Sequence, residues 1–227
     1  MKIAIISAAR TRSTALTFNV KNKYSLPCNY EIYTKQIKMG KTIEEITTFL
    51  FNQDKFIVKI LGHNVIDNLD LNKFNLYMYD KIYFIERQNF LDQACSLQLC
   101  YDTNLYLNFK KHRVDELYRE LSTKHYVLKY LTIKYLAKDI ANYMMLKKNV
   151  IKHNIPFEQY FYETCNFTHL DNILSDPKLN YSQIISNYND YNINKIFYNY
   201  FNYTSLEHNY NKFCDEVYNL YGADNRI

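Results

Sequence analysis

Tryptophan is absent from this chain of 227 residues, and glycine and proline occur three times each. No Gly precedes Gly40, so the G-x-x-x-x-G-K-[ST] loop that cradles nucleoside triphosphates cannot follow the first strand. Cysteine is sparse and odd in number: Cys28, Cys95, Cys100, Cys165 and Cys214 form no Cys-x-x-Cys pair. That argues against a disulfide framework and a zinc site, and points to a reducing, cytoplasmic compartment. No stretch approaches eighteen uncharged apolar residues, the length a spanning helix needs. The N-terminal apolar run is too short for an export signal and is cut by Arg10 and Arg12. A basic block is missing as well. The net charge is +5, but lysines and arginines are interleaved with acids along the whole length. This disfavours a dedicated nucleic-acid arm and suits an anionic ligand in a local positive pocket.

What is abundant is tyrosine, at 24 residues, together with Asn, Lys and Ile. These are residues of AT-rich codons, so a biased genome, that of a small virus or an AT-rich microbe, accounts for them without chemistry. Hydrophobic residues at 48% and charged residues at 22% are those of a soluble globular protein. The length suffices for one α/β domain with a full core.

The most informative segment is the first. Ile3, Ile5 and Ile6 form a short apolar run that reads as a buried strand over 2–7. Arg10-Thr11-Arg12-Ser13-Thr14 is a basic, hydroxyl-rich turn, and Ala15, Leu16 and Phe18 resume a helical pattern to about 22. Strand, turn and helix in this order place backbone N–H groups around an anion at a helix N-terminus. A second segment, residues 81–96, repeats the plan: an apolar strand over 81–86, a charged turn with Arg87, and a helix over about 89–101 carrying Ser96. Arg87 offers a planar charged fork suited to phosphate. Between them a strand at 55–61 ends near His63.

The remaining pattern alternates. A strand or loop is expected near 30–37, a helix over about 43–52 behind the capping sequence Thr42-Ile-Glu-Glu45, and a helix near 66–78. Residues 113–149 read as one long helix or two, with Leu117, Leu121, Leu128, Leu131, Tyr135 and Ile140 as the apolar stripe. Tyr130, Tyr135 and Tyr143 are expected as core or rim aromatics. A strand near 157–162, a helix near 164–175, an irregular Asn- and Tyr-rich stretch over 178–203 and a helix from Thr204 to Gly222 complete the chain. Leu206, Tyr210, Phe213, Val217 and Leu220 are its stripe. The fold class is therefore α/β, a mainly parallel sheet flanked by helices in three layers, with a helical C-terminal part. Ligands of such sheets bind at the carboxyl ends of the strands, where Arg10, His63 and Arg87 all fall.

Arg10-Thr11-Arg12-Ser13-Thr14 resembles the 5′-phosphosulfate loop of the sulfotransferases, matching at Arg10, Thr11, Ser13 and Thr14. It departs at Arg12, where that family most often has Gly. The block Arg87, Asn89, Asp92, Ser96 is similar to the family's 3′-phosphate block, in the spacing of its shorter bacterial and phage members. Lys59 and His63 resemble the family's Lys–His region, and Tyr162-Glu163 its strand ending in Tyr-Glu. The resemblance covers roughly residues 1–177 of a single domain spanning 1–227, with 178–227 as an extension.

This resemblance implies a P-loop-like fold and a 3′-phosphoadenosine 5′-phosphosulfate donor, with adenosine 3′,5′-bisphosphate as product and no metal. Arg10, Thr11, Arg12, Ser13, Thr14 and Ala15 would hold the 5′-phosphate, Arg87 and Ser96 the 3′-phosphate. His63 or Glu31 would be the base that takes the acceptor's proton. The acceptor stays open, and a monomer or a homodimer would serve. A P-loop nucleotide kinase and a non-catalytic nucleotide- or RNA-binding module are the alternatives.

Overall fold

The computed structural model describes residues 1–65, 73–103, 119, 126–165, 197 and 206–221. The chain divides into two compact units, Met1–Gln88 with Lys138–Asn166, and Asn89–Ala137 with Phe167–Ile227. Neither is a continuous stretch of sequence.

The first unit is built on a five-stranded, wholly parallel sheet: β1 (Lys2–Ser7), β2 (Cys28–Asn29), β3 (Phe56–Leu61), β4 (Lys81–Glu86) and β5 (Phe157–Phe161), in the order β2-β3-β1-β4-β5. Continuous apolar runs make the three central strands, because strands covered on both faces have no polar side to show. Ile3, Ala4, Ile5 and Ile6 of β1 are fully buried, and each pairs with β3 on one side and β4 on the other. The edges are blunted. β2 is two residues long, and β5 carries Glu158 and Gln159.

From β1 the chain runs to the β2 edge, returns to β3 beside β1, then crosses β1 to reach β4. In open parallel sheets ligands bind outside the carboxyl ends of the strands at such a reversal, here β1, β3 and β4. Helices α1 (Ser13–Tyr24), α2 (Ile32–Lys38) and α3 (Ile43–Phe51) connect the early strands. The expected capping box is present: Glu45 N–H donates to Thr42 Oγ1 at 3.2 Å, and Thr42 N–H to Glu45 Oε2 at 2.8 Å. It also gives Gly40-Lys41-Thr42 a structural use, with Gly40 in the turn at φ 84°. The expectation of a strand or loop at 30–37 is corrected, since most of that stretch is α2. Glu31 starts it from a left-handed conformation that propensity does not announce.

The second unit contains α4 (Phe90–Thr103), the start of α5 (Tyr130–Lys152) and α6 (Leu206–Tyr221). Phe90 stacks on Phe197 at 4.1 Å between ring centres, and Phe213 packs edge-on against both. Buried Gln98 accepts from Thr132 Oγ1 at 2.6 Å and from Lys129 N–H at 3.1 Å.

The stripe expected over 113–149 holds at Leu128 and Ile140, which are buried, and is corrected at Leu131 and Tyr135, which are exposed while Ile133, Leu136 and Ala137 are buried. Tyr143 is a core residue, as expected, and so are Phe213 and Val217 of the last helix. Of the helix near 66–78, residues 66–72 lie outside the described residues, and 76–78 form a short 3-10 turn. Leu117, Leu121 and the stretches 166–175 and 178–196 also lie outside them.

Candidate anion site at the carboxyl ends of the strands

The turn after β1 is wound by two left-handed residues, Arg10 at φ 63° and Arg12 at φ 61°. Only glycine adopts this conformation without cost, so two arginines held there mark a backbone fixed by its surroundings. Thr11 between them is buried and donates its hydroxyl to the Ala8 carbonyl at 3.0 Å. Its hydroxyl clasps the turn from inside. Helix α1 then opens without a side-chain cap and without an acid in its first turn. An uncapped N-terminus beside two arginines is electrostatically set for an anion. Ser13 and Ala15 are buried at this end.

Two guanidinium groups meet on one aromatic ring. Arg87 lies over Tyr162 with Cζ 4.2 Å from the ring centre, and Arg12 approaches the same ring at 5.8 Å. The chain just after β5 is held beside β4 by Tyr162 N–H donating to the Glu86 carbonyl at 2.7 Å and Gln88 N–H donating to Glu163 at 2.8 Å. Glu86 itself is engaged by Tyr143 and Lys147, each at 2.6 Å. The arginine that joins Arg87 is thus Arg12, the position that departs from the sulfotransferase pattern.

Arg10 acts on a different group. Its charge is felt at Lys59, a buried ammonium on β3. Burial pushes Lys59 below the ordinary lysine range, and Glu31 opposes that shift. Lys59 Nζ donates to Glu31 Oε1 at 2.5 Å and to Thr14 Oγ1 at 3.1 Å, and lies 4.6 Å from the Tyr30 ring centre. Thr14 also shares a 2.8 Å hydrogen bond with the Tyr30 hydroxyl. The Thr14 hydroxyl is therefore occupied within the protein, and Glu31 is an ion-pair partner of Lys59.

His63 lies in the turn after β3. Its Nδ1 is 3.4 Å from Oδ1 of Asp139, a fully buried carboxylate on α5, and its Nε2 is 3.5 Å from Thr34 Oγ1. The other Asp139 oxygen, Oδ2, accepts the Ala9 N–H at 2.5 Å, so one carboxylate touches both the β1 turn and the histidine. Gly62 permits this: a Cβ there would overlap the Asp139 backbone carbonyl.

Of the sequence-derived residues, Arg10 to Ala15, Glu31, His63 and Arg87 all belong to the first unit, near the ends of β1, β3 and β4. Ser96 belongs to the second unit, buried within α4. Asn89 and Asp92 close the start of that helix, the Asp92 N–H donating to Asn89 Oδ1 at 3.0 Å.

Asp139 escaped the sequence reading of the site, and Lys59 entered it only through the Lys–His resemblance. Lys59 shows itself as a lone cation inside Phe-Ile-Val-Lys-Ile-Leu, and Asp139 as a lone acid beside a buried helical stripe. Comparison with protein-family models, curated proteins and solved structures finds no match to this chain. Among the described residues no helix is long and apolar enough to cross a membrane.

Proposed function

We propose that this protein is a sulfotransferase that takes its sulfuryl group from 3′-phosphoadenosine 5′-phosphosulfate. The observation that carries the reading is the turn after β1, left-handed at Arg10 and Arg12 and opening an uncapped helix at the carboxyl end of a central strand of a parallel sheet. At position 12 the family's usual Gly is replaced, yet the backbone adopts the conformation that a glycine serves.

In the reaction the acceptor oxygen or nitrogen attacks sulfur in line, and the bond from sulfur to the 5′-phosphate oxygen breaks. The electron pair leaves on that phosphate. Arg10 and the N–H groups at the start of α1 stabilise the charge growing there. Arg87 and Arg12, held on Tyr162, take the 3′-phosphate at the other end of the nucleotide. His63 receives the acceptor's proton. It is preferred to Glu31, whose carboxylate is engaged by Lys59. As in phosphoryl transfer, positioning and charge stabilisation do most of the catalysis.

Calorimetry with adenosine 3′,5′-bisphosphate, ADP and ATP tests the reading. The bisphosphate is expected to bind at least about tenfold more tightly than ADP, since it alone presents the 3′-phosphate to Arg87. Equal or tighter binding of ATP would overturn the proposal in favour of a nucleotide kinase.

A further inference from the structure

We propose that Asp139 is a positioning residue for His63: it fixes the ring as the Nδ1–H tautomer, leaving the Nε2 lone pair to accept a proton. The inference rests on the reading of His63 as the base and adds a residue that neither the sequence pattern nor the family resemblance supplied.

Three observations converge on it. First, Asp139 is fully buried, and a carboxylate in that position needs donors on both oxygens. Oδ2 has the Ala9 N–H at 2.5 Å, whereas buried Oδ1 makes no hydrogen bond in this structure and has His63 Nδ1 facing it at 3.4 Å, close enough for a small ring rotation to complete the contact. A carboxylate can only accept, so a neutral ring that satisfies Oδ1 must carry its proton on Nδ1. Second, the opposite side of the ring accommodates this tautomer. Asn64 Nδ2 donates to Thr34 Oγ1 at 3.0 Å, which leaves the Thr34 hydroxyl proton to point elsewhere. At 3.5 Å from His63 Nε2 that hydroxyl is compatible with a lone pair there, although the contact alone fixes neither tautomer. Third, Gly62 lets the α5 backbone come close to the turn that carries His63, since a Cβ at that position would strike the Asp139 carbonyl. Acid and histidine are therefore set by backbone packing as well as by side-chain choice.

The chemistry follows. When the acceptor attacks sulfur, its proton moves to Nε2. The resulting imidazolium has its other N–H toward a negative charge that is already in place. The same carboxylate holds the Ala9 N–H, so the turn that carries the leaving phosphate and the group that takes the proton share one support.

Nitrogen-15 spectroscopy of the imidazole in the wild-type protein is the direct test, at a pH where the ring is neutral. The chain has 6 histidines, and loss of one signal in His63→Gln assigns the resonance. Free imidazoles in water favour the Nε2–H form, so an Nδ1–H signature at His63 is the supporting result, and an Nε2–H signature overturns the proposal.

Asp139→Asn makes the second arm. Its one acceptor oxygen stays with the Ala9 N–H, and its amide then faces Nδ1, so the tautomer is expected to invert to Nε2–H. Affinity for adenosine 3′,5′-bisphosphate is expected to stay within about threefold of wild type, because the turn keeps its support. An unchanged tautomer in the folded variant, or a large loss of nucleotide affinity, would show that Asp139 serves the turn alone. Should Asp139→Asn fail to fold, the wild-type tautomer still decides. If the wild-type protein fails to bind the bisphosphate, the sulfotransferase reading falls, while the tautomer measurement reports on Asp139 independently.

Discussion

Lys59, on the central strand β3, donates to Glu31 at the start of α2 across 2.5 Å, and the lysine side chain is almost wholly buried while the glutamate is partly open to water. The pair is asymmetric, and so are the consequences of breaking it. Glu31→Gln leaves a buried ammonium without its counter-charge and is expected to cost about 2–3 kcal/mol, less than a fully buried pair because Glu31 is part-exposed. Lys59→Met frees a carboxylate that water can reach and removes the desolvation of a cation. Its stability at neutral pH is expected to equal or exceed that of wild type, by up to about 2 kcal/mol.

The pH dependence has a definite sign. The folded-state pKa of Lys59 is depressed below 10.5, chiefly by burial. Between the folded and unfolded values the unfolded chain binds more protons, so this group's contribution makes stability rise with pH. The advantage of Lys59→Met over wild type should therefore shrink as pH approaches about 10.5. Urea denaturation of both proteins at neutral and alkaline pH checks this. A constant difference would mean that Lys59 is not charged and buried in the native state.

Arg12 and Arg87 both approach the Tyr162 ring, at 5.8 and 4.2 Å, so in the proposed anion site the ring would hold the two guanidinium groups together. Tyr162→Leu is expected to weaken adenosine 3′,5′-bisphosphate about three- to thirtyfold, the worth of cation–π contacts, with little change in the melting temperature. Arg87→Ala should cost more, at least about thirtyfold, since it removes a charged anchor. Arg87→Lys should rescue only part of that loss, because an ammonium neither stacks on the ring nor offers a fork. Full rescue by lysine would show that charge alone is read there.

The sheet was legible because central parallel strands are mostly apolar, as Ile3 to Ile6, Ile82 to Ile85 and, apart from Lys59, Phe56 to Leu61 are. The basic turn at residues 10–14 was legible through its position between a strand and a helix. The tertiary partners were not. Nothing local says that Asp139, 130 residues from Ala9, closes on the same turn. Misplacing part of the α5 stripe also hid it: Leu131 and Tyr135, taken as inward, are exposed, whereas Leu136 and Ala137 are buried and, with the correctly read Ile140, bracket Asp139. Helix α2 escaped because the residue at its N-cap, Glu31, is left-handed and gives it no side-chain cap. Contacts made by such strained residues are set by the assembled fold, which a local pattern does not encode.

Tyrosine chemistry predicts the alkaline limit of the protein. Burial raises the phenols of Tyr30, Tyr130 and Tyr160 to about 12 each. Here the folded chain holds the protons longer, so the contribution to stability is complete below pH 10 and is lost as pH rises toward about 12. The three phenols oppose the single lysine discussed above and should outweigh it. Denaturation midpoints should fall steeply above about pH 10, with tyrosinate absorbance appearing together with unfolding. Tyr30→Phe should flatten that fall, and an unchanged slope would show that Tyr30 titrates as an ordinary exposed phenol.

Gly62 stands at the point where the β3 turn meets α5, and its backbone needs no special conformation; what it needs is room. A methyl group there would overlap the carbonyl oxygen of Asp139 and approach the carbonyl carbon and Oδ1 at 2.8 Å. The obstruction is mainly backbone, which cannot rotate aside, so helix and turn must separate. Gly62→Ala is expected to destabilise the protein by about 2–3 kcal/mol, the usual cost of forcing extra volume into a packed contact. The displacement would also pull Asp139 from His63 and from the Ala9 N–H, two contacts that share the carboxylate. The variant should thus lose both stability, read by chemical denaturation, and the Nδ1–H signature of His63, read by nitrogen-15 spectroscopy. If the stability fell while the tautomer persisted, the helix would have yielded elsewhere along its length, and the close approach at Gly62 would be a matter of packing only.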